Sequence, residues 1–215
     1  RGDTDLPQSD LSFLPIFTED ERYLDTWSKV LATGVKRVTT MGTDCHRNTF
    51  KAIMPDGERV DSYRRMMMWF SNHLLVDRLD FDDRSLKDAL KAGRLYGVVE
   101  VLGYAEGFEF TADDTQDLGS EVLGGSTLIV RMPKVRGIVV QPSLQLNLLL
   151  ATDSGWELVD TVENADLMHV TARPGAYRAE VRIKPTHVAD KLGSFRPMFA
   201  SQYLVWIYSN AIYVR

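Results

Sequence analysis

The chain has 215 residues, 44% of them hydrophobic and 26% charged, with a formal net charge of −5 at pH 7. This is enough for one large domain or two small ones, with ample apolar material for a core. The acidic balance supplies no overall basic field for nucleic acid or anionic lipid, and no apolar run approaches the ~20 residues of a membrane-spanning helix.

The opening "RGDTDLPQSD" has no initiator Met and no signal-peptide pattern. It reads as a linker or a cut end, so the chain is expected to be a piece of a longer protein. Three residues, Arg1-Gly2-Asp3, carry too little information for an adhesion motif. The clearest helix is "FTEDERYLDTWSKVLATG", with Thr18 as its expected cap, acidic residues in its first turn and Gly34 as its stop. Tyr23, Leu24, Trp27, Val30 and Leu31 form its expected apolar stripe.

A short β-type run, "VKRVTTMG", follows and delivers the chain to Asp44. "KAIMPDGERVDS" reads as a loop turning at Pro55-Asp56-Gly57. A strand is expected over 68–76. Next comes a short helix in "DDRSLKDALKAG", capped by Asp82 or Asp83, closed by Gly93 and facing Leu86, Ala89 and Leu90 inward.

From Leu95 the character changes. "RLYGVVEVLG", "GFEFTA", "STLIVRM", "GIVVQ", "SLQLNLLLA", "GWELVD", "LMHVTA", "GAYRAEVRI" and "QYLVWIYSNAIYV" are short β-type runs recurring at roughly 8–15-residue intervals, the pattern of an antiparallel sandwich. "ADDTQDLGSEVLGG" is either a linker or a long acidic hairpin loop.

Asp44-Cys45-His46 is the main candidate for chemistry in a chain with four histidines. In extended backbone, residues i and i+2 point the same way, so a carboxylate and an imidazole reach one site. Both are competent ligands for zinc, manganese or iron. By spacing alone a strand-end Asp more often caps a turn. The lone Cys45 excludes an intrachain disulfide and a multi-cysteine zinc site, and reads as a small buried hydrophobe. Arg47 and Asn48 follow and are candidate substrate contacts, with a solvated turn as the competing role. His73 reads as a hydrogen-bonded core or rim histidine. His169 and His187 fall in the β-rich half, and no nucleophile elbow, Walker loop or dinucleotide fingerprint is present.

The order of these features resembles a family. A Trp-bearing helix, "GTDCH", a variable loop, "LKDALKAGRLYG" and a β-rich tail ending "YSNAIYV" are similar to the C-terminal part of bacterial PHP-type proteins, the polymerase and histidinol phosphatase superfamily, that carry a β-sandwich after their metal-binding barrel. Gly42, Thr43, Asp44 and His46 match the family's last ligand motif, Gly-Ser/Thr-Asp-x-His, with Cys45 at its variable position. "ALKAGR" resembles the segment leading from barrel to sandwich. "SNAIYV" resembles the family's terminal "SNPIYV", with Ala211 where Pro is common.

The resemblance spans most of residues 18–215. It implies an α+β chain: the end of a PHP-type α/β barrel over 1–94, then an all-β immunoglobulin-like sandwich over 95–215. It implies a metal-dependent hydrolase, a phosphoesterase by first expectation, acting on a small-molecule phosphoester, with Asp44 and His46 as metal ligands. The family's other ligands, beginning with an Asp-x-His-x-His motif, are absent, so a di- or trinuclear site of divalent ions is expected only in the full-length protein. The upstream barrel portion is then the chain's partner, and the fragment alone is expected to be inactive and to bind metal poorly. Sandwich-tailed relatives point to the cell envelope or secretion. The rival reading is a non-catalytic β-sandwich binding module with an inert Asp-x-His.

Overall fold

The computed structural model describes residues 5–16, 19–76 and 81–215. Helix α1 (Glu21–Ala32) starts at Asp20, whose carboxylate accepts the Arg22 N–H, and Glu21 lies at the positive end of the helix dipole. Thr18, the cap expected from the sequence, lies outside the described residues, as does Arg1-Gly2-Asp3. Trp27, Ser28 and Leu31 are buried, whereas Tyr23 and Val30 are exposed. A helix lying on a sheet buries only the strip directly beneath it, so the stripe is narrower than the sequence suggests.

Ser62 caps the short helix α2 (Tyr63–Met67), and the strand expected over 68–76 follows as β1 (Phe70–Leu74). Helix α3 (Asp83–Ala92) has a full capping box between Asp82 and Ser85 and ends at Gly93, whose φ of 77° is left-handed. Ala89 is fully buried beneath it, whereas Leu90 stays partly exposed.

The remainder is mostly strand. In order come β2 (Leu95–Val99), β3 (Ala105–Glu106), β4 (Glu109–Ala112), β5 (Glu121–Val122), β6 (Thr127–Arg131) and β7 (Lys134–Val135). They are followed by β8 (Leu144–Thr152), β9 (Gly155–Glu163), β10 (Leu167–Val170), β11 (Gly175–Ile183), the one-turn α4 (Arg196–Phe199), β12 (Leu204–Ser209) and β13 (Ile212–Val214). The large sheet has eight strands. β12 and β13 lie in succession along one edge of β11, and β8 then β9 lie on the other. β2 and β1 extend the sheet beyond β12, and β5 runs parallel to β13.

A three-stranded sheet, β10-β6-β4, supplies Phe110, Leu128, Val130 and Leu167 to one hydrophobic core with Leu146, Leu148, Val181 and Trp206 of the large sheet. The chain is thus mostly sheet with few helices, an arrangement compatible with a β-sandwich.

One expected strand is absent, and the stretch read as a linker or a long hairpin loop takes a definite place. "GIVVQ" is not a strand: the Gln141 side chain satisfies Val135 N–H, Val135 C=O and Ile138 C=O, closing a loop that leaves Val139 and Val140 exposed. "ADDTQDLGSEVLGG" is a long excursion between the paired strands β4 and β6, tied down by buried Leu118 and by Gly119 N–H donating to Ala211 C=O.

The alternation in "AYRAEVRI" has a consequence on the large sheet's second face. Ala179 and Val181 enter the core, while Arg178, Glu180 and Arg182 lie on the side where α1 packs against β8, β9 and β11. Arg178 and Glu180 are only 1% and 2% exposed and pair at 3.0 Å. Arg182 Nε reaches Glu180 at 2.5 Å, and its Nη2 reaches Glu19 at 3.0 Å. The Arg178 guanidinium sits 4.5, 5.1 and 5.7 Å from the ring centres of Trp156, Tyr208 and Trp27.

Glu121 ties the N-terminal run to the C-terminus through Lys36 at 2.9 Å and Arg215 at 3.0 Å. Hydrogen bonding to Arg215 and then Lys36 lowers its carboxyl to about 2. A depressed carboxyl stabilises the fold fully above the unfolded value of about 4.5 and loses that contribution as pH falls towards 2. A carboxyl-carbon NMR titration should therefore place the Glu121 midpoint well below pH 4. A midpoint in the ordinary glutamate range would show that the tie is not formed.

Candidate metal-ligand turn

The segment expected as a strand, 35–42, joins no backbone ladder; it crosses the large sheet's second face, with Met41 over Gly97 and the Trp27 indole at Arg37 C=O. The backbone groups of alternate residues, Arg37, Thr39 and Met41, are instead met by side chains from elsewhere. Lys36 Nζ donates to Gly119 C=O at 3.3 Å, and the Trp27 indole donates to Arg37 C=O at 3.4 Å. Asn210 takes Thr39 N–H at 2.9 Å and returns its amide N–H to Thr39 C=O at 2.9 Å. Asn72 does the same for Met41, at 2.9 and 2.8 Å. A primary amide offers one acceptor and donors side by side, so each Asn substitutes for a strand neighbour. This is why the run is extended without being a strand.

Asp44 follows with φ of 48°, in the left-handed region that Asp tolerates better than most residues. The backbone is therefore not extended there, as the i, i+2 argument assumed. The two side chains nevertheless meet: His46 Nε2 lies 2.8 Å from Asp44 Oδ1, and both are exposed, at 57% and 91% of their side-chain surface. A carboxylate oxygen only accepts, so Nε2 is the donor in this contact. Cys45 points elsewhere, packing half-buried against the core with its Sγ 4.0 Å from Tyr63 C=O. Burial, then the charge of Asp61, raises its thiol above the ordinary range, which suits a packing role rather than a nucleophile.

Downstream, the turn is closed by a polar knot. Buried Asp61 accepts the N–H groups of Thr49 and Phe50 at 3.0 and 2.8 Å, and takes Arg59 through both Nε and Nη2 at 2.8 Å. The Arg59 pairing, first among these causes, drives the Asp61 carboxyl far below the usual carboxylate range. Fully buried Arg65 pairs with Asp10 at 2.5 Å and Asp56 at 2.8 Å, while Arg64 joins Asp10 to Glu58.

Arg47 lines an open hollow of about 460 Å³ beside this knot, with Ile53, Arg59, Tyr63 and Arg64. Asn48 makes a local contact, accepting from Thr49 Oγ1 at 3.3 Å. The other histidines stand apart in separate contacts. His73 shares one Glu100 oxygen with Ser71, at 2.7 and 2.5 Å, and His169 meets Asp160 at 3.2 Å. His187 Nε2 donates to Leu102 C=O at 2.7 Å, and burial lowers its imidazole below the ordinary value. Among the described residues no group of three or more His, Cys, Asp and Glu side chains gathers as a metal site.

No family model matches this sequence, and no curated protein matches it significantly.

Asn72, Asn210 and the Asp61 knot are the residues that motif spacing missed. A signal was present for the first two, since Asn is depleted inside strands and both stand in Ser-Asn pairs that interrupt β-type runs. Among the described residues no helix is long and apolar enough to cross a membrane.

Proposed function

We infer that this chain is the C-terminal part of a PHP-type metal-dependent hydrolase, a phosphoesterase by first preference, and that Asp44 and His46 are the last ligands of its metal site. The observation that carries the reading is the convergence of these two side chains at 2.8 Å on an exposed turn held from both sides by buried polar contacts. A hydrogen-bonded carboxylate–imidazole pair presents the oxygen and nitrogen donors that zinc, manganese or iron accept, a cation taking the place of the shared proton.

Two donors make half a site or less. The reading therefore assigns the remaining ligands to an upstream barrel of the same protein, with residues 1–94 as the end of that barrel and 95–215 as an immunoglobulin-like sandwich. Bound divalent ions supply an activated water and charge to clamp phosphate oxygens. The chain's own residues hold the ions at Asp44 and His46 and offer Arg47 and Asn48 to the substrate side.

The 215-residue chain alone is expected to bind Mn²⁺ weakly, with half-saturation on the order of 1 mM, about −4 kcal/mol. Paramagnetic broadening in NMR spectra should then centre on residues 43–47 and vanish in the Asp44→Ala/His46→Ala pair. Broadening spread over other surface carboxylates, unchanged in the pair, would leave the turn with no metal role and favour a non-catalytic sandwich.

A further inference from the structure

We propose that Asn72 and Asn210 are positioning residues for the Asp44–His46 pair, so that the large sheet sets where the ligand turn stands; this rests on reading that turn as the metal site. The evidence is the double clamp. Asn210 lies 171 positions from Thr39 in sequence, and Asn72 lies 31 from Met41, yet each makes two hydrogen bonds of 2.8–2.9 Å to one residue's N–H and C=O.

The two clamped residues are spaced i, i+2, so their backbone groups face the same way along an extended run. Asn210 is itself fixed: it is 3% exposed, its Nδ2 also donates to Leu95 C=O at 3.1 Å, and its own C=O accepts from Ser209 Oγ at 2.7 Å. Asn72 stands on β1 directly across from Gly97.

Gly97 completes the seat. A Cβ built there would lie 2.2 Å from Met41 Sδ and 2.4 Å from its Cγ, so the missing side chain is the space Met41 occupies. Tyr208 is paired with Gly97 on the other side, in β12. The run from Thr39 to Met41 is thus fixed by three elements, β1, β2 and the corner between β12 and β13. Asp44 follows Met41 by three residues, and among the described residues the side-chain contact of Asp44 and His46 is the one they share. Their placement is inherited from the clamp upstream and the Asp61 knot downstream.

The test uses the intact chain in three variants: Asn72→Ala, Asn210→Ala, and Gly97→Val, which evicts Met41 without touching either amide. Hydrogen exchange is read at the Met41 and Thr39 amides, and the ring nitrogens of His46 are followed by NMR without metal. In Asn72→Ala the Met41 amide should exchange about tenfold faster, and in Asn210→Ala the Thr39 amide likewise, while β8 and β11 amides keep their protection. In all three variants the His46 ring signals should move towards those of a free imidazole.

Asn72→Asp keeps the acceptor for Met41 N–H and loses the donor, so it should restore Met41 protection. Should Asn210→Ala fail to fold, the half-buried Asn72 and Gly97→Val carry the test. Unchanged His46 signals in folded Asn72→Ala and Gly97→Val would overturn the positioning role. Absence of Mn²⁺ broadening in the unaltered chain would instead remove the metal reading, and the His46 signals would still judge the clamp.

Discussion

Replacing Arg178 with methionine is expected to destabilise the fold by about 3 kcal/mol, the lower part of the range for breaking a buried ion pair. Glu180 would remain 2% exposed with one cationic partner instead of two, since Arg182 Nε stays at 2.5 Å. That remaining partner is the reason for choosing the lower part of the range. The aromatic cage would lose its cation, although a thioether keeps part of the contact with the Trp156, Tyr208 and Trp27 rings.

Arg178 Nε and Nη1 make no hydrogen bond among the described residues, so the rings and Glu180 are what balance the guanidinium's desolvation. The double change Arg178→Met/Glu180→Leu should recover most of the loss, because apolar replacement of a whole buried pair is often neutral or stabilising. Urea denaturation of the three proteins checks this. A single-variant cost below about 1 kcal/mol would be that of a solvated pair, and would mean that α1 does not seal the sheet's second face.

The same face explains how much of the fold could be read from residues. Strands such as "SLQLNLLLA" and "GAYRAEVRI" were legible because alternation and turn residues act locally. The caps at Asp82 and Gly93 were legible for the same reason. What could not be read was the second cover on the large sheet. Arg178 and Glu180 look like an outward polar stripe, and only α1, brought back from more than 140 positions upstream, buries them.

The run over 35–42 misled differently. Its β-type composition produced an extended chain, but its hydrogen bonds go to Asn72 and Asn210 side chains, and nothing local announces a partner 171 residues away. "GIVVQ" failed because the Gln141 side chain folds back onto Val135 and takes Ile138 C=O, closing a loop instead of a strand. At the candidate site, the meeting of Asp44 and His46 was legible from their spacing. The geometry behind it was not, since a left-handed Asp44 replaces the extended backbone from which that meeting was argued.

The most direct measurement is of metal content and phosphoesterase turnover in the proposed full-length hydrolase, for the unaltered form and for Asp44→Ala/His46→Ala. Loss of a single outer-shell partner of a metal ligand costs about 10–100-fold in affinity or activity, so loss of two direct ligands should exceed the upper figure. The doubly changed protein should fold, retain its sandwich stability, lose at least one bound ion per chain, and show turnover reduced more than about 100-fold. Unchanged metal content and unchanged turnover in that protein would contradict the assignment of Asp44 and His46 as ligands.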